Sequence, residues 1–273
     1  MYKPSEHYRA PGDLDAKIWR YMTLDKFISM LDFQALWFSR GDSLGDPYEG
    51  AMSAPSVEEL VAFFEELDRQ PPYHPDAFEA RKVVNGLVRQ SYDAARTMGF
   101  FSCWHMNQHE SMAMWSIYGD EGIAIQSTFR RLSESFSSQE ERKISIGVVR
   151  YADHLVGYTG RSGWSAERSH FAQMWMTKGK AYEYEQEVRA VTVIRPILTN
   201  SRMDSGKLDH PTGVNVPVNL ETLLEGIYVS PKRRPYFRSL VESVMHHYDC
   251  PTIPLNHSRL NMTPSWIASN SSL

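Results

Sequence analysis

Cysteines and long apolar runs are both scarce in this sequence. Its 273 residues include two cysteines, Cys103 and Cys250, which argues against a disulfide scaffold and favours a reducing compartment. No apolar stretch approaches the length of a membrane span. Residues 1–6 lack the apolar centre of a signal peptide. The sequence therefore predicts a cytoplasmic protein without a membrane partner.

An excess of positive charge is also lacking. The chain has 29 Lys and Arg against 33 Asp and Glu, a formal net charge of -4. No global basic field therefore favours non-specific binding to nucleic acids. At 42% hydrophobic and 23% charged residues, the composition is that of a globular protein long enough to fold without disulfide or metal staples. Solenoid repeats and heptads are lacking too, and we expect one domain over residues 1–273.

Within that domain, strand-like and helix-like apolar patterns follow one another irregularly. We expect a core over residues 18–255, a helical insertion covering it at residues 56–97, and a frayed polar tail at residues 261–273. Helical spacing is also predicted over residues 165–178. The irregular order favours an α+β fold with a mixed, mostly antiparallel sheet over a doubly wound parallel sheet.

Two prolines give more local predictions. Residues 214–218 are predicted to form an edge strand, because Pro217 has no N–H to donate to a neighbouring strand. Ser230 and Pro231 predict the start of a helix with proline at its first position.

The most informative motif is the acidic and basic stretch at residues 182–189. If it is a strand, Glu185, Glu187 and Arg189 share one face, with alternate residues roughly 7 Å apart. Carboxylates at this spacing could bind a ribose hydroxyl pair, stabilise an oxocarbenium ion or activate a nucleophile. The alternative is a solvated strand face with an ion pair of little energetic weight.

A second motif joins residues 101–105 to residues 111–119. Ser102 could line a pocket, and Trp115 and Tyr118, three apart on a helix, could form a stacking wall. The alternative is that Trp115 belongs to the core. Cys103 and His105 also permit a Cys–His nucleophile pair or a metal site, but the spacing supports neither, and a buried thiol is favoured for Cys103.

Arginines near the first two predicted strands form a third group. Arg20 or Arg40 could hold a phosphate with two parallel hydrogen bonds, although surface charge is the alternative for each. Residues 46–50 are typical of a structural turn or a pocket lip, and the turn is favoured. Residues 232–234 could attract phosphate at a helix N-terminus, or form a solvated basic face.

In this order the motifs resemble a bacterial domain-of-unknown-function family, numbered twenty-nine seventy-one, over roughly residues 18–250. The family name implies no activity. The resemblance rests on seven short stretches: 20–21, 38–39, 46–49, 101–104, 115–119, 122–125 and 184–189.

A more distant resemblance is to the ADP-ribosyltransferase superfamily. Arg20-Tyr21 is similar to its first strand motif, residues 102–104 to its Ser-Thr-Ser motif, and residues 185–188 to its Glu-x-Glu motif. By this resemblance NAD is the substrate, Glu187 is the catalytic acid that bonds the ribose 2′-hydroxyl, and Glu185 positions or activates the acceptor. The NAD-binding residues that it implies are Arg20, Tyr21, Arg40, Ser102, Trp115, Tyr118 and Arg189, with no metal.

The function implied by this resemblance is an NAD-consuming enzyme, acting by ADP-ribosyl transfer or NAD glycohydrolysis. A toxin or phage-defence role would fit by analogy with the fold. The first alternative is a nucleotide-sensing module that binds without chemistry. The second is a protein-interaction module, in which Glu185, Glu187 and Arg189 form an exposed patch.

Overall fold

The computed structural model describes residues 8–68, 77–137, 140–156, 172, 174–194, 211–250 and 252–261. Residues 262–273 of the predicted tail and residues 165–171 of the predicted helix lie outside the described residues. The described helices include none that is both long and apolar enough to cross a membrane.

Strands and helices follow one another irregularly along the described chain. The strands are β1 Lys17–Met22, β2 Ala35–Arg40, β3 Gly99–Met106, β4 Ile123–Thr128, β5 Ser145–Val148, β6 Arg150–Ala152, β7 Thr177–Gly179, β8 Glu187–Val193, β9 Gly213–Pro217, β10 Gly226–Val229 and β11 Leu255–His257. The helices are α1 Leu24–Phe33, α2 Ala54–Asp68, α3 Ala77–Met98, α4 Met112–Met114, α5 Phe129–Ser135, α6 Leu220–Leu223 and α7 Pro235–His247. A π-helix, Trp115–Gly119, follows α4, and 3-10 helices form at Gly41–Ser43, Lys180–Glu185 and Arg259–Asn261.

Most strands join one sheet in the order β11-β10-β4-β1-β3-β2-β9, and β8 pairs with both β3 and β5. The pairs within this sheet are antiparallel except β10 with β11, and β6 pairs with β7 separately in parallel. The predicted α+β class with a mixed, mostly antiparallel sheet is therefore confirmed. The predicted edge strand is also confirmed, because β9 ends this order and carries Pro217.

Strand β3 is the point at which the sheet divides. On one side it pairs with β8 from Gly99 to His105. On the other side Phe100 and Phe101 pair with β2, whereas His105 and Met106 pair with β1. Among the described strands, none pairs with residues 102–104 on that second side. Helix α1 connects β1 to β2, so the sheet opens between these two strands.

Apolar side chains hold two of the helices in the main core. Phe27 and Leu31 of α1 and Phe237 and Val241 of α7 are buried in the main cluster. Full burial of one such side chain stabilises the fold by roughly 1.5–3 kcal/mol. This packing holds α1 and α7 against the sheet and leaves the opening as the main interruption in it.

The predicted helical insertion consists of α2 and α3. The two helices pack against each other through Val61 and Val84. The end of α3 is bonded to a distant part of the chain, because Trp175 donates its indole N–H to the Ala95 carbonyl at 2.8 Å. This contact connects the insertion to the segment that leads into β7.

Two predicted helix boundaries are wrong. The helix predicted over residues 165–178 ends before Thr177, where β7 begins and pairs with Arg150 of β6. The helix predicted to start at Pro231 begins instead with Pro235 at its first turn, which satisfies the same proline rule four residues later.

Candidate active site

A cavity of about 620 Å³ lies at the opening between β1 and β2. This volume is typical of small-molecule sites. Its aromatic walls are Trp19, Tyr21, Trp37, Phe101, Trp104 and Tyr118. Its polar lining includes Arg20, Asp25, Lys26, Glu49, Cys103, His105, Lys178, Glu185, Glu187 and Arg189. Six of the nine predicted site residues therefore line one cavity: Arg20, Tyr21, Tyr118, Glu185, Glu187 and Arg189.

Glu187 and Arg189 lie two apart on β8, so their side chains point to the same face, as predicted. Arg189 donates from Nε to Glu187 Oε1 at 2.6 Å and from Nη2 to Oε2 at 2.8 Å. The exposed fractions are 2% for Glu187 and 1% for Arg189. The pair is therefore a buried, two-bond ion pair, not the solvated face that was the alternative.

Arg189 makes further internal contacts. Its Nη1 donates to the Trp175 carbonyl at 2.7 Å, and its Nη2 also donates to Glu49 Oε1 at 2.9 Å. The guanidinium lies 5.0 Å from the ring centre of Phe101. These contacts anchor Arg189 to the protein on several sides.

Glu185 reaches the cavity by a different route from the predicted one. It ends the 3-10 helix Lys180–Glu185, and Gln186 is left-handed with φ 42°. The strand alternation that was predicted to align Glu185 with Glu187 is therefore interrupted, and that prediction is wrong. Glu185 Oε1 accepts a hydrogen bond from the Tyr118 hydroxyl at 2.8 Å, and Oε2 accepts one from Lys178 at 2.6 Å.

Lys178 is the centre of a buried charge cluster that sequence reasoning missed. Its ammonium lies 2.6 Å from Glu185, 3.4 Å from Glu49 and 3.6 Å from Glu187. With Arg189, the cluster has three carboxylates and two cations, a formal charge of -1. A lone lysine at the end of a predicted helix gave no signal of this role.

Glu49 enters the cluster through the turn at residues 46–50. Asp46 is buried and accepts the Tyr48 N–H at 2.8 Å and the Gly179 N–H at 2.9 Å. The second bond ties the turn to β7, next to Lys178. The predicted structural turn thus also delivers a carboxylate to the cavity.

The cluster sets the protonation of its members. Burial alone would raise the pKa of Glu187, but the positive charges of Arg189 and Lys178 outweigh it and lower that pKa. Burial would lower the pKa of Lys178, but Glu187 and Glu49 outweigh it and raise that pKa. Burial, with the Glu185 carboxylate, raises the pKa of Tyr118. At neutral pH Glu187 is ionised, Lys178 is protonated and Tyr118 remains a hydrogen-bond donor.

His105 lines the same cavity from the end of β3, with an exposed fraction of 6%. Its Nδ1 lies 2.6 Å from the backbone oxygen of Glu185. Its Nε2 is buried and has no hydrogen-bond partner among the described residues. Burial lowers the pKa of His105, so the ring is neutral at physiological pH.

Cys103 also lines the cavity but is not an activated thiol. Burial, and then the negative charge of Glu187, raise its pKa well above the usual value. A thiolate nucleophile needs the opposite environment. This environment disfavours the Cys–His nucleophile pair, which the sequence spacing did not support either.

Arg20 spans the opening of the sheet. From β1 its Nη2 donates to the Trp37 carbonyl of β2 at 2.8 Å, and its guanidinium lies 5.9 Å from the ring centre of Trp104. Burial lowers the pKa of Arg20 to about 10, so it stays charged at neutral pH.

Three predicted site residues are not among those that line the cavity: Arg40, Ser102 and Trp115. Arg40 pairs with Asp42 through two bonds of 2.7 and 2.8 Å. Ser102 is buried and accepts the Trp104 indole N–H at 3.2 Å.

Trp115 is a core residue instead of a cavity wall. It is fully buried and donates its indole N–H to Glu110 at 3.0 Å. Residues 115–119 form a π-helix, whose wider turn separates side chains that lie three apart. Trp115 and Tyr118 therefore do not form a joint stacking wall, and that prediction is wrong.

Two of the basic residues 232–234 are held by surface partners. Lys232 pairs with Asp120, and Arg233 pairs with Glu121 at 3.1 Å. Because α7 begins at Pro235, these residues precede the helix as a solvated basic face, which was the alternative to a phosphate site.

Within the described part of the chain, no group of three His, Cys, Asp or Glu side chains is arranged to hold a metal ion. Comparisons with protein-family models, with curated proteins and with solved structures found no match. The two family resemblances drawn from the motifs remain predictions.

Proposed function

We propose that the cavity binds NAD and that the protein consumes it, by ADP-ribosyl transfer or NAD glycohydrolysis. The observation that carries this proposal is the convergence of Arg20, Tyr118 and Glu185, remote in sequence, on one aromatic-walled cavity of about 620 Å³. It supports the placement of these three residues in one site, which the motif resemblance implied.

The cavity chemistry suits each part of NAD. Aromatic walls favour flat rings such as adenine and nicotinamide. The Arg20 guanidinium, charged and at the cavity wall, suits a pyrophosphate. The formal charge of -1 on the cluster favours the positive charge that develops at the ribose as the nicotinamide bond breaks.

The structure favours other roles for the two carboxylates of the Glu-x-Glu motif than those that the resemblance implied. Both carboxylates have both oxygens paired. Those of Glu187 accept hydrogen bonds from Arg189, and those of Glu185 accept from Tyr118 and Lys178. Glu185 is the more exposed of the two, at 6%, and contacts Tyr118 at the cavity wall. We therefore assign the contact with the reacting ribose to Glu185 and the anchoring of the cluster to Glu187.

A nucleotide-binding module without chemistry is the second candidate. The pairing of each carboxylate with an internal cation favours it, because a paired carboxylate holds a site together whether or not a reaction occurs. The protein-interaction alternative required an exposed patch of Glu185, Glu187 and Arg189. Burial of all three side chains excludes that patch.

The test is incubation of the protein with NAD while nicotinamide release and the thermal unfolding temperature are followed. We expect release by the wild type, and a loss of about 100-fold or more in Glu185→Gln. Glu242→Gln, an exposed glutamate paired with Arg238 on α7, is the matched control and should retain activity.

The remaining outcomes separate the candidates. A rise in unfolding temperature with NAD but no nicotinamide release would favour the binding module, because a ligand bound to the native state stabilises it. Neither release nor a thermal shift would overturn NAD as the ligand.

A further inference from the structure

His105 occupies a special place in the divided sheet. Strand β3 passes the opening over residues 102–104 and resumes pairing with β1 at His105, opposite Trp19. On its other side His105 lies opposite Glu187 of β8. The backbone of His105 is therefore fixed between two strands, and its side chain lines the cavity.

The tautomer of His105 follows from its one hydrogen bond. A carbonyl oxygen only accepts, so at 2.6 Å from the Glu185 carbonyl the Nδ1 atom carries the hydrogen. In a neutral ring Nε2 then carries a lone pair and can only accept. A backbone carbonyl that orients an imidazole in this way leaves the opposite nitrogen available as a base.

The lone pair on Nε2 has no donor among the described residues. Buried acceptors in native proteins nearly always have a partner. His105 lines the cavity, so a bound molecule that reaches the closed-over Nε2 would supply the missing hydrogen.

The acidic side chains of the motif are less suited to accept a proton. Both oxygens of Glu187 already accept from Arg189, and those of Glu185 accept from Tyr118 and Lys178. Glu49 Oε2 is a second buried acceptor without a partner among the described residues. Glu49 Oε1 accepts a hydrogen bond from Arg189. Glu49 is therefore the other candidate for the base, and the experiment below distinguishes it from His105.

We infer that His105 Nε2 is the base that takes the proton from the water or acceptor hydroxyl which attacks the ribose. This inference rests on the proposed function. The O–H bond of the attacking group breaks as its oxygen bonds to the ribose anomeric carbon, and the proton goes to Nε2. The bond from that carbon to nicotinamide breaks, and its electron pair leaves with neutral nicotinamide. His105 then releases the proton to solvent, so no oxidant or reductant is needed.

The pH dependence has a definite sign. Burial lowers the pKa of His105 below its usual 6.5, partly opposed by Glu185. Protonation of Nε2 removes the lone pair, so kcat/KM falls as pH falls through that pKa. The titratable groups facing the ring are Glu185, Glu187 across the β3–β8 pair, and the Tyr21 phenol, whose ring centre lies 6.4 Å away. Burial raises the pKa of Tyr21, so it does not titrate in this range.

The experiment compares His105→Asn and His105→Gln in nicotinamide release across pH. Asparagine can keep the donor at the Nδ1 position but has no acceptor at Nε2. Glutamine can place an amide oxygen at Nε2 that accepts a hydrogen bond but is too weak a base to take the proton. We expect both variants to lose about 100-fold or more in kcat and to lose the acidic limb of the profile. NAD affinity by calorimetry should stay within a few-fold of wild type, most closely for the glutamine variant.

Other results overturn the inference. If the acidic limb of the wild-type profile survives in both variants, His105 is not the base. If that limb is lost in Glu49→Gln, Glu49 is the base instead. If both variants fail to fold, imidazole ¹⁵N spectra of the wild type decide, because a protonated Nε2 at neutral pH would exclude the base. A wild type that neither binds NAD nor releases nicotinamide defeats the proposed function itself, and the inference falls with it.

Discussion

Tyr118 donates its phenol hydrogen to Glu185 at 2.8 Å, although 67 residues separate the two in sequence. The bond links the π-helix after α4 to the end of the 3-10 helix before β8. Through this bond the half-exposed Tyr118 side chain orients the buried Glu185 carboxylate. It therefore offers the most direct way to change the site without removing a charge.

Tyr118→Phe removes that bond and keeps the ring. We expect nicotinamide release to fall while the unfolding free energy drops by only about 1 kcal/mol, because Glu185 keeps Lys178 as a donor. Tyr236→Phe, which removes the hydroxyl of an exposed tyrosine on α7, is the control. Equal activity of the two variants would show that the Tyr118 hydroxyl does not act on the site.

Arg189→Lys keeps the charge but loses the planar group that bonds Glu187 twice. We expect the unfolding free energy in urea to fall by roughly 3–5 kcal/mol, because buried carboxylates are left with incomplete partners. The control is Arg238→Lys, in a partly exposed pair with Glu242, which should cost about 0–1 kcal/mol. Similar losses at the two positions would contradict a dominant role for the buried cluster.

The lowered pKa of Glu187 predicts a loss of stability in acid. The usual glutamate value is 4.5, and the folded value lies below it. As pH falls through 4.5 the unfolded chain takes up the proton first, so the stabilisation present above 4.5 is lost on the way down to the folded pKa. Urea unfolding at a series of acidic pH values should show a shallower loss in Glu187→Gln than in wild type. An unchanged slope in Glu187→Gln would contradict this prediction.

Asp46→Ala tests the turn that delivers Glu49. The substitution leaves the buried N–H groups of Tyr48 and Gly179 without their acceptor, and we expect a loss of about 1–3 kcal/mol. Because Gly179 follows Lys178 directly, NAD binding should weaken as well. The control is Asp15→Ala, which removes an exposed ion pair with Arg130. It should leave the unfolding free energy and NAD binding nearly unchanged. A stable Asp46 variant with normal binding would show that the turn does not position the cluster.

Local sequence patterns predicted the parts of this fold that depend on near neighbours. The irregular order of apolar patterns favoured the α+β class, and Pro217 identified an edge strand because a missing N–H has the same consequence in any sheet. The motif resemblance also predicted that Arg20, Tyr118 and Glu187 belong to one site, and all three line the cavity.

The charge cluster could not be predicted in the same way, because its members meet only in three dimensions. Lys178 and Glu49 are 129 positions apart, and neither belongs to a periodic pattern. One signal was present: Arg189 shares its strand face with Val191, which indicates a buried face, and a buried arginine requires carboxylates nearby. The left-handed Gln186 carried no such signal, since glutamine is not a residue that favours that conformation.

The divided sheet has a consequence for how tightly a ligand can be held. The two strands that border the opening, β1 and β2, are both hydrogen-bonded to β3. Arg20 of β1 also bonds the Trp37 carbonyl of β2 across the opening. Opening the cleft wider would require β3 itself to bend. The entrance of the cavity is therefore preorganised, and binding of a ligand loses little free energy to the entropy of ordering the protein.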